Sequence, residues 1–579
     1  MNNYNFVEWL IYLNSILFLN ELIKTLTKLS YNKCKHPNYI FLFCIIILLV
    51  LLILLTLISY GVYFYFGMMP NKGIIKYVIN EPLSTWTLVK NYIENWEILF
   101  TIIGISLFLF LFINNAPKIY LDRKNWLVNF GISLFTLVSI LSITQKFDQC
   151  GLPAAQTITA GLDFILISNE EKKTKSLIKT GSIKISKLDK EADFNVILII
   201  NESVRRSAVQ IFNNSIKTTP NLFEFKDRHK NEFFVFNWAR TNATLTFLSV
   251  PSILNGLSPF ADKNLWLATP LLWDYAKAVS LETFLISSHC FTWGGWKNYL
   301  LQSENLDYYY TECEYNEKME GESNHPLGIG DDNIFITKTI NHIDSLYKLK
   351  KQFCGVLHLY GPHAPYWCKE ENKKISGDSR ETDYFNSIYQ QDLSLSKLWS
   401  YLEKTRLIDN TIIVHTSDHG EAFGSRNING HLTSYFEETI GIPLWLYIPN
   451  NLLNENEKKI LQKNSNNNVS NIDILPTILD LLNIPVVKEI DEKNYGKPLL
   501  HLMDKKREIF ITNYNNINYS RFDKSYCLIT DSLKYIYKKF NEKLEIRVYN
   551  FHNDPNEKYN LFNKKIPIVD VNTTLINNL

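Results

Sequence analysis

The sequence predicts an N-terminal transmembrane helix bundle followed by an extracytoplasmic α/β domain, with a central, mostly parallel sheet flanked by helices. Three observations predict this. Long charge-free apolar runs are confined to about the first 145 residues, basic loops between them fix an orientation, and after Asn195 short continuous apolar runs alternate with helical stretches.

Tyr39–Met69, Ile98–Pro117 and Trp126–Gln145 contain no Asp, Glu, Lys or Arg. About 20 apolar residues rising ~1.5 Å each cross the ~30 Å hydrocarbon core. An earlier segment, Phe6–Ile23, carries Glu8 and Glu21 near its ends, where both acids would meet the interfaces. The expectation is therefore a domain over 1–145 with three or four spans, at about 6–23, 39–66, 98–117 and 126–145. Lys24, Lys28, Lys33 and Lys35 precede the second span, and Lys118, Arg123 and Lys124 precede the last. The positive-inside rule puts both loops in the cytoplasm. One further crossing then delivers the rest of the chain to the outer face of a bacterial inner membrane, the periplasm. Residues 146–194 form a linker whose lysines (Lys172, Lys173, Lys175, Lys179, Lys184 and Lys187) suit an amphipathic segment lying on anionic lipid. The formal net charge of +2 implies no nucleic-acid partner.

Cys150, Cys290, Cys313, Cys354, Cys368 and Cys527 follow the last span, in an oxidising compartment. No C-x-x-C zinc pattern occurs, so disulfides are expected. Cys354–Cys368 and Cys290–Cys313 are the pairs considered, and spacing leaves the connectivity open.

The domain over 195–579 opens with Val196–Ile200, a continuous apolar run typical of a parallel strand buried on both faces. Ala278–Ile286, Cys354–Tyr360 and Thr411–Thr416 read the same way. Asp331–Leu346 and Tyr384–Lys404 read as helices between them, and Asn451–Ser470 as an Asn/Lys-rich surface loop. In such sheets ligands collect beyond the carboxyl ends of the strands. Polar residues fall there: Asn201-Glu202-Ser203 after one strand, Ser417-Asp418-His419-Gly420-Glu421 after another, and His358 to Pro365 at a third. Glu202 with Asp418 and His419 makes an O/O/N ligand set suited to zinc or manganese, with an open fourth position. The segment Arg240–Ser252 offers two threonines, Thr244 and Thr246, and a bound divalent cation can make such a hydroxyl a nucleophile.

This layout resembles the phosphoethanolamine transferases, including the lipid A-modifying enzymes, within the alkaline phosphatase and sulfatase superfamily. Glu202 matches the family's metal-binding Glu after the first strand, and Thr218–Leu222 matches its Thr-Thr-Pro-Asn-Leu. The nucleophile of that family stands three residues before a Ser-Val/Leu-Pro triplet, which selects Thr246, with Thr244 its usual companion. Ser417–Glu421 matches the family's Ser-Asp-His-Gly-Glu, making Asp418 and His419 metal ligands beside Glu202 and Thr246. His363 and His431 match two histidines that contact the substrate phosphate or a second metal. Where lipid A-type members carry cysteines bracketing the nucleophile, this chain has Asn242 and Ser252. Asn471–Ile484 and Val548–Glu557 resemble sulfatase sequences. The resemblance implies an alkaline-phosphatase-like fold and zinc at one tight site with room for a second, manganese being less suited. It also implies phosphatidylethanolamine as donor, lipopolysaccharide (lipid A or core) or another envelope glycan as acceptor, and a monomer. A phosphoglycerol transferase is the alternative within the superfamily. A sulfatase would need a Cys or Ser in a C-x-P-x-R-type context, which the nucleophile segment lacks.

Overall fold

The computed structural model describes residues 183–562, apart from 290, 292–295, 313, 315–330, 365, 432–433, 491, 514–524 and 541–542. The chain divides into two units, Met1–Lys173 and Thr174–Leu579, and every described residue belongs to the second. The expected membrane spans, the linker up to residue 182, and Cys150, Cys290 and Cys313 lie outside the described residues. Among the described residues no helix is long and apolar enough to cross a membrane.

The core of the fold is a seven-stranded sheet. Its strands, numbered along the chain, are β1 (Asn195–Asn201), β2 (Phe233–Val235), β3 (Glu282–Ser287), β4 (Tyr308–Thr311), β5 (Phe353–Leu359), β6 (Thr411–Ser417) and β7 (Leu444–Tyr447). They lie in the order β2-β7-β6-β1-β5-β3-β4. β1 is parallel to β5 and β6, β3 is parallel to β5 and β4, and β7 runs antiparallel to β6 and β2. Every residue of β1 is buried. Val196, Leu198 and Ile200 feed one hydrophobic core, while Ile197 and Ile199 feed the other. Two covered faces explain why the run is continuously apolar rather than alternating.

The named helices are α1 (Pro220–Arg228), α2 (Thr246–Asn255), α3 (Asp332–Lys348), α4 (Arg380–Lys404) and α5 (Ile474–Leu481). Leu248, Ile253 and Leu254 of α2 and Ile474, Leu475 and Ile478 of α5 join the first core. Phe225 of α1, Phe335 and Ile336 of α3, and Leu395 and Trp399 of α4 join the second. Gly355 sits on β5, where an added Cβ would lie 2.0 Å from the Phe284 ring of β3. That ring is 1% exposed and packs on His342 and Phe353. Gly355→Ala is therefore expected to destabilise the fold by about 1–3 kcal/mol through overpacking, read as a lower urea midpoint at unchanged slope.

A second, antiparallel sheet follows in chain order: β8 (Ile509–Thr512), β9 (Ser525–Thr530), β10 (Leu533–Phe540) and β11 (Lys543–Asn550). It meets the loop before α2 through Thr244 N–H to Thr512 O (3.0 Å) and Thr512 N–H to Asn242 O (3.2 Å).

Three sequence expectations need correction. Ala278–Ile286 is not one strand: a helix ends at Ala278 and β3 begins at Glu282. Asn451–Ser470 is not a bare loop, since it holds a helix, Glu455–Asn464, started by a capping box between Asn454 and Glu457, and a short strand, Asn468–Ser470. Cys354 and Cys368 are buried free thiols, as is Cys527. Cys354 sits inside the sheet on β5, opposite Val196 of β1 and Thr283 of β3, whereas Cys368 lies in the loop beyond that strand and its thiol donates to Lys369 O (3.3 Å).

Candidate active site

The three central strands, β6, β1 and β5, deliver polar side chains from their carboxyl ends to one place. Backbone bonds continue the sheet past the strand ends, Glu202 N–H to Leu359 O (2.9 Å) and Asp418 N–H to Asn201 O (3.0 Å), so both carboxylates leave a rigid edge. Ser203 turns the chain with a positive φ of 62°, a strained conformation held by its N–H on Asp418 Oδ1 (2.9 Å) and its carbonyl on the Tyr384 hydroxyl (2.9 Å).

Glu202, Asp418 and His419 are fully enclosed, and each offers a ligand atom within 4.8 Å of the others. His419 Nε2 lies 3.2 Å from Asp418 Oδ2 and 3.5 Å from Glu202 Oε1. The hydroxyl of Thr246, the first residue of α2, joins them at 2.8 Å from Glu202 Oε1 and 3.0 Å from His419 Nε2. His419 Nδ1–H donates to Gly420 O (3.0 Å), which fixes the tautomer and leaves the Nε2 lone pair for a cation. A cation fits on a second count. Glu202 Oε2 and Asp418 Oδ2 are buried without a hydrogen-bond partner among the described residues, an expensive state for carboxylate oxygens that a divalent ion would relieve. The electrostatics agree. Burial, and then the charge of Glu202, pushes the Asp418 carboxyl up to about 7. Burial also opposes ionisation of Glu202, but His358, His419 and His363 outweigh it and hold that carboxyl well below its usual range.

Two further imidazoles border the cluster. His431 stacks on His419 with ring centroids 3.8 Å apart, and its Nδ1 is 3.1 Å from Glu421 Oε2, a carboxylate 2% exposed. His363 has Nδ1 between the Tyr360 hydroxyl (2.5 Å) and the Ala364 carbonyl (2.7 Å), and its ring is in electrostatic range of Glu202 and Glu421. Both rings thus spend Nδ1 on fixed partners and keep Nε2. The loop carrying His363 is tethered by buried Asp332, which accepts from Ser288 Oγ (2.5 Å), Gln391 Nε2 (2.8 Å) and Gly361 N–H (3.1 Å). A side chain at Gly361 would strike that carboxylate at 2.4 Å.

The structure thus brings together Glu202, Thr246, Asp418 and His419, with His431 against them and His363 in electrostatic range. Thr244 lies elsewhere, fully buried in the seam with β8. The sequence placed His358 at a strand end without a role; it is 1% exposed, with Nε2 3.5 Å from Glu202 Oε2. Its signal was a titratable residue between two leucines inside an apolar strand.

The sulfatase family profile matches residues 194–484, half of the chain, and an N-sulphoglucosamine sulphohydrolase C-terminal profile matches residues 433–579. Among curated proteins the chain is similar to an arylsulfatase of Clostridium perfringens, 20% identical over 64% of this chain and 90% of the relative. It is also similar to the multifunctional alkaline phosphatase superfamily protein PehA of Trinickia caryophylli, 30% identical over 31% of this chain and 35% of that protein. The chain thus spans nearly all of the first relative and about a third of the second. Among solved structures it is similar in fold to an integral membrane lipooligosaccharide phosphoethanolamine transferase A of Neisseria meningitidis, with a TM-score of 0.53, 16% identity, and coverage of 78% of this chain and 87% of that one.

Proposed function

Since the chain belongs to the sulfatase family, we propose, from the chemistry at Thr246, that it is a metal-dependent transferase carrying phosphoethanolamine from phosphatidylethanolamine to a cell-envelope acceptor, lipopolysaccharide lipid A or core, through a covalent phosphothreonine. One observation carries this reading: a threonine hydroxyl that donates to Glu202 Oε1 (2.8 Å) and lies 3.0 Å from His419 Nε2, beside two members of the buried ligand cluster. A sulfatase of the resembled kind needs formylglycine, made from Cys or Ser. Threonine carries a methyl on Cβ and cannot yield that aldehyde, whereas an alcohol suits attack on phosphorus. The fold likeness to a membrane phosphoethanolamine transferase supports the reading. So do the expected spans over 1–145, which would hold the domain beside its lipid donor on the outer face of the inner membrane.

Glu202, Asp418 and His419 would hold zinc, which when bound lowers the pKa of the Thr246 hydroxyl and offsets charge on the phosphoryl oxygens. Thr246 donates to Glu202 Oε1, which is placed to accept the hydroxyl proton as Oγ attacks phosphorus. The bond from phosphorus to the glycerol oxygen breaks, and that oxygen takes a proton from His431 or His363 as diacylglycerol leaves. Thr246 heads α2, a helix whose Ncap residue, Leu245, has no side-chain acceptor, so the positive end of the helix dipole faces the new phosphodiester. An acceptor hydroxyl or phosphate then attacks the same phosphorus, the bond from phosphorus to Thr246 Oγ breaks, that oxygen takes back its proton from Glu202, and the histidine recovers its own from the acceptor hydroxyl or from water.

The test uses the full chain in lipid vesicles holding phosphatidylethanolamine or phosphatidylglycerol with an isotope-labelled headgroup, followed by mass spectrometry of the peptide containing Thr246. Label arriving on Thr246 from phosphatidylethanolamine is expected. Label from phosphatidylglycerol alone would assign phosphoglycerol transfer instead. An unlabelled Thr246 together with hydrolysis of an aryl sulfate would overturn the transferase reading.

A further inference from the structure

Behind the ligand cluster lies a set of buried polar side chains that the mechanism does not use. Thr241, Asn242, Ser249 and Asn471 have no exposed surface. They come from three separate places: the loop before α2, α2 itself, and the short turn Asn471–Asp473 that leads into α5. Donors on three of them converge on one acceptor, the main-chain carbonyl of Asp418. Ser249 Oγ donates to it at 2.7 Å, the Thr241 hydroxyl makes a short bond to it, and Asn471 Nδ2 approaches it at 3.5 Å. Asn471 binds the set together. Its Nδ2 is 3.2 Å from Ser249 Oγ and 3.4 Å from Thr241 Oγ1, and its Oδ1 accepts from Asn242 N–H (2.9 Å) and Asn242 Nδ2 (2.7 Å).

The acceptor is what gives the set a purpose. The Asp418 carbonyl belongs to the peptide joining Asp418 to His419, two adjacent members of the ligand cluster, so pinning that peptide pins the root of both side chains. Ser249 stands one helical turn after Thr246, so its bond to the same carbonyl fastens the nucleophile's helix to the ligands. Apolar packing would fill this space without the desolvation that four buried polar side chains impose. Hydrogen bonds are directional and fix an orientation that packing leaves loose.

We propose that Thr241, Ser249 and Asn471 are positioning residues, a buried clamp on the Asp418 carbonyl that sets the cation ligands and the Thr246 hydroxyl in one rigid geometry. This rests on the reading of Glu202, Asp418 and His419 as a cation site and Thr246 as its nucleophile. Supporting hydrogen bonds around metal ligands typically carry 10- to 100-fold in metal affinity.

The test measures zinc affinity of the full chain in detergent, by competition with a chromogenic chelator, beside the melting temperature. Thr241→Val keeps the shape and removes the donor. It is expected to weaken zinc binding about 10- to 100-fold while the melt changes little, and to slow labelling of Thr246 with no change in KM for the donor lipid. Thr241→Ser, which restores a hydroxyl, is expected to recover most of the affinity. Wild-type zinc affinity in Thr241→Val overturns the clamp. Should that variant fail to fold, Ser249→Ala removes a donor to the same carbonyl, and wild-type affinity there overturns the clamp equally. The zinc titration is independent of the transfer reaction. A wild-type protein that binds zinc and never labels Thr246 refutes the transferase reading alone, and one that labels Thr246 while the clamp variants bind zinc normally refutes the clamp alone.

Discussion

Thr246→Ala is expected to reduce turnover by about 10⁴- to 10⁶-fold, the range seen when a covalent nucleophile is deleted from an otherwise intact site. The hydroxyl touches both Glu202 and His419, so its loss removes the attacking atom and leaves the surroundings in place. Glu202, Asp418 and His419 would still supply three ligands, and water can fill the fourth position, so a cation at that site is expected to stay bound. Thr246 is half-buried at the start of a helix, and alanine is a good helix former, so the melt should barely move. Thr246→Ser keeps the oxygen and is expected to retain both the covalent adduct and measurable transfer. Single-turnover labelling from phosphatidylethanolamine, read beside zinc content, checks all three statements. An alanine variant that turns over within tenfold of wild type would move the nucleophile elsewhere.

The largest expected effect on stability is at Lys534. Its ammonium is fully buried, 2.8 Å from Glu437 Oε1 and in a short contact with Glu557. Glu437 also receives Arg240 at 3.1 Å and Arg206 at 3.4 Å. Lys534→Met leaves the equally buried Glu557 carboxylate with only the Glu437 N–H (2.9 Å) and the more distant Arg426 (3.9 Å), and removing one member of a buried pair costs about 3–5 kcal/mol. A urea titration should show that loss, and Glu557→Gln added to Lys534→Met should recover part of it. The pH dependence has a definite sign. Burial opposes the charge on Glu437, but Arg240, Lys534 and Arg206 together depress its carboxyl far below 4.5, so its contribution is present above about pH 4.5 and is lost as pH falls through the depressed folded value. Burial likewise opposes the charge on Lys534, but Glu437 and Glu557 raise it above 10.5, so that contribution is full below 10.5 and is lost as pH rises through the raised value. Lys534→Met should therefore flatten the stability profile at both ends. An unchanged profile would show that the cluster contributes nothing to folding.

The sequence made the parallel core visible because a strand covered on both faces carries an unbroken apolar run. Val196–Ile200 and Thr411–Thr416 fall inside β1 and β6 for that reason. The same signal failed over Ala278–Ile286, since a continuous apolar stretch does not separate a helix end from a strand start. Composition hid the helix at Glu455–Asn464, where asparagine and lysine suggested a loop while the Asn454/Glu457 cap set a helix going. Glu202, Asp418 and His419 were legible only in combination: each alone would be ordinary cap or turn chemistry, but a carboxylate and an Asp-His pair after apolar strands of one α/β domain make a ligand set. His358 was not, because its role depends on which strands are neighbours, and register is invisible in a single chain. The Glu437–Lys534–Glu557 cluster and the clamp at Asp418 join residues far apart in the chain, and no local pattern announces such meetings.

The seam between the loop before α2 and Thr512 sets an order of events for the newborn protein. Synthesis runs from the amino end, so the strand holding Thr512 is made long after the loop that it flanks. Until that strand has docked, the two backbone bonds that hold the loop at Asn242 and Thr244 are missing. The surroundings of Thr246 are thus completed only after every strand of the seven-stranded sheet has been made.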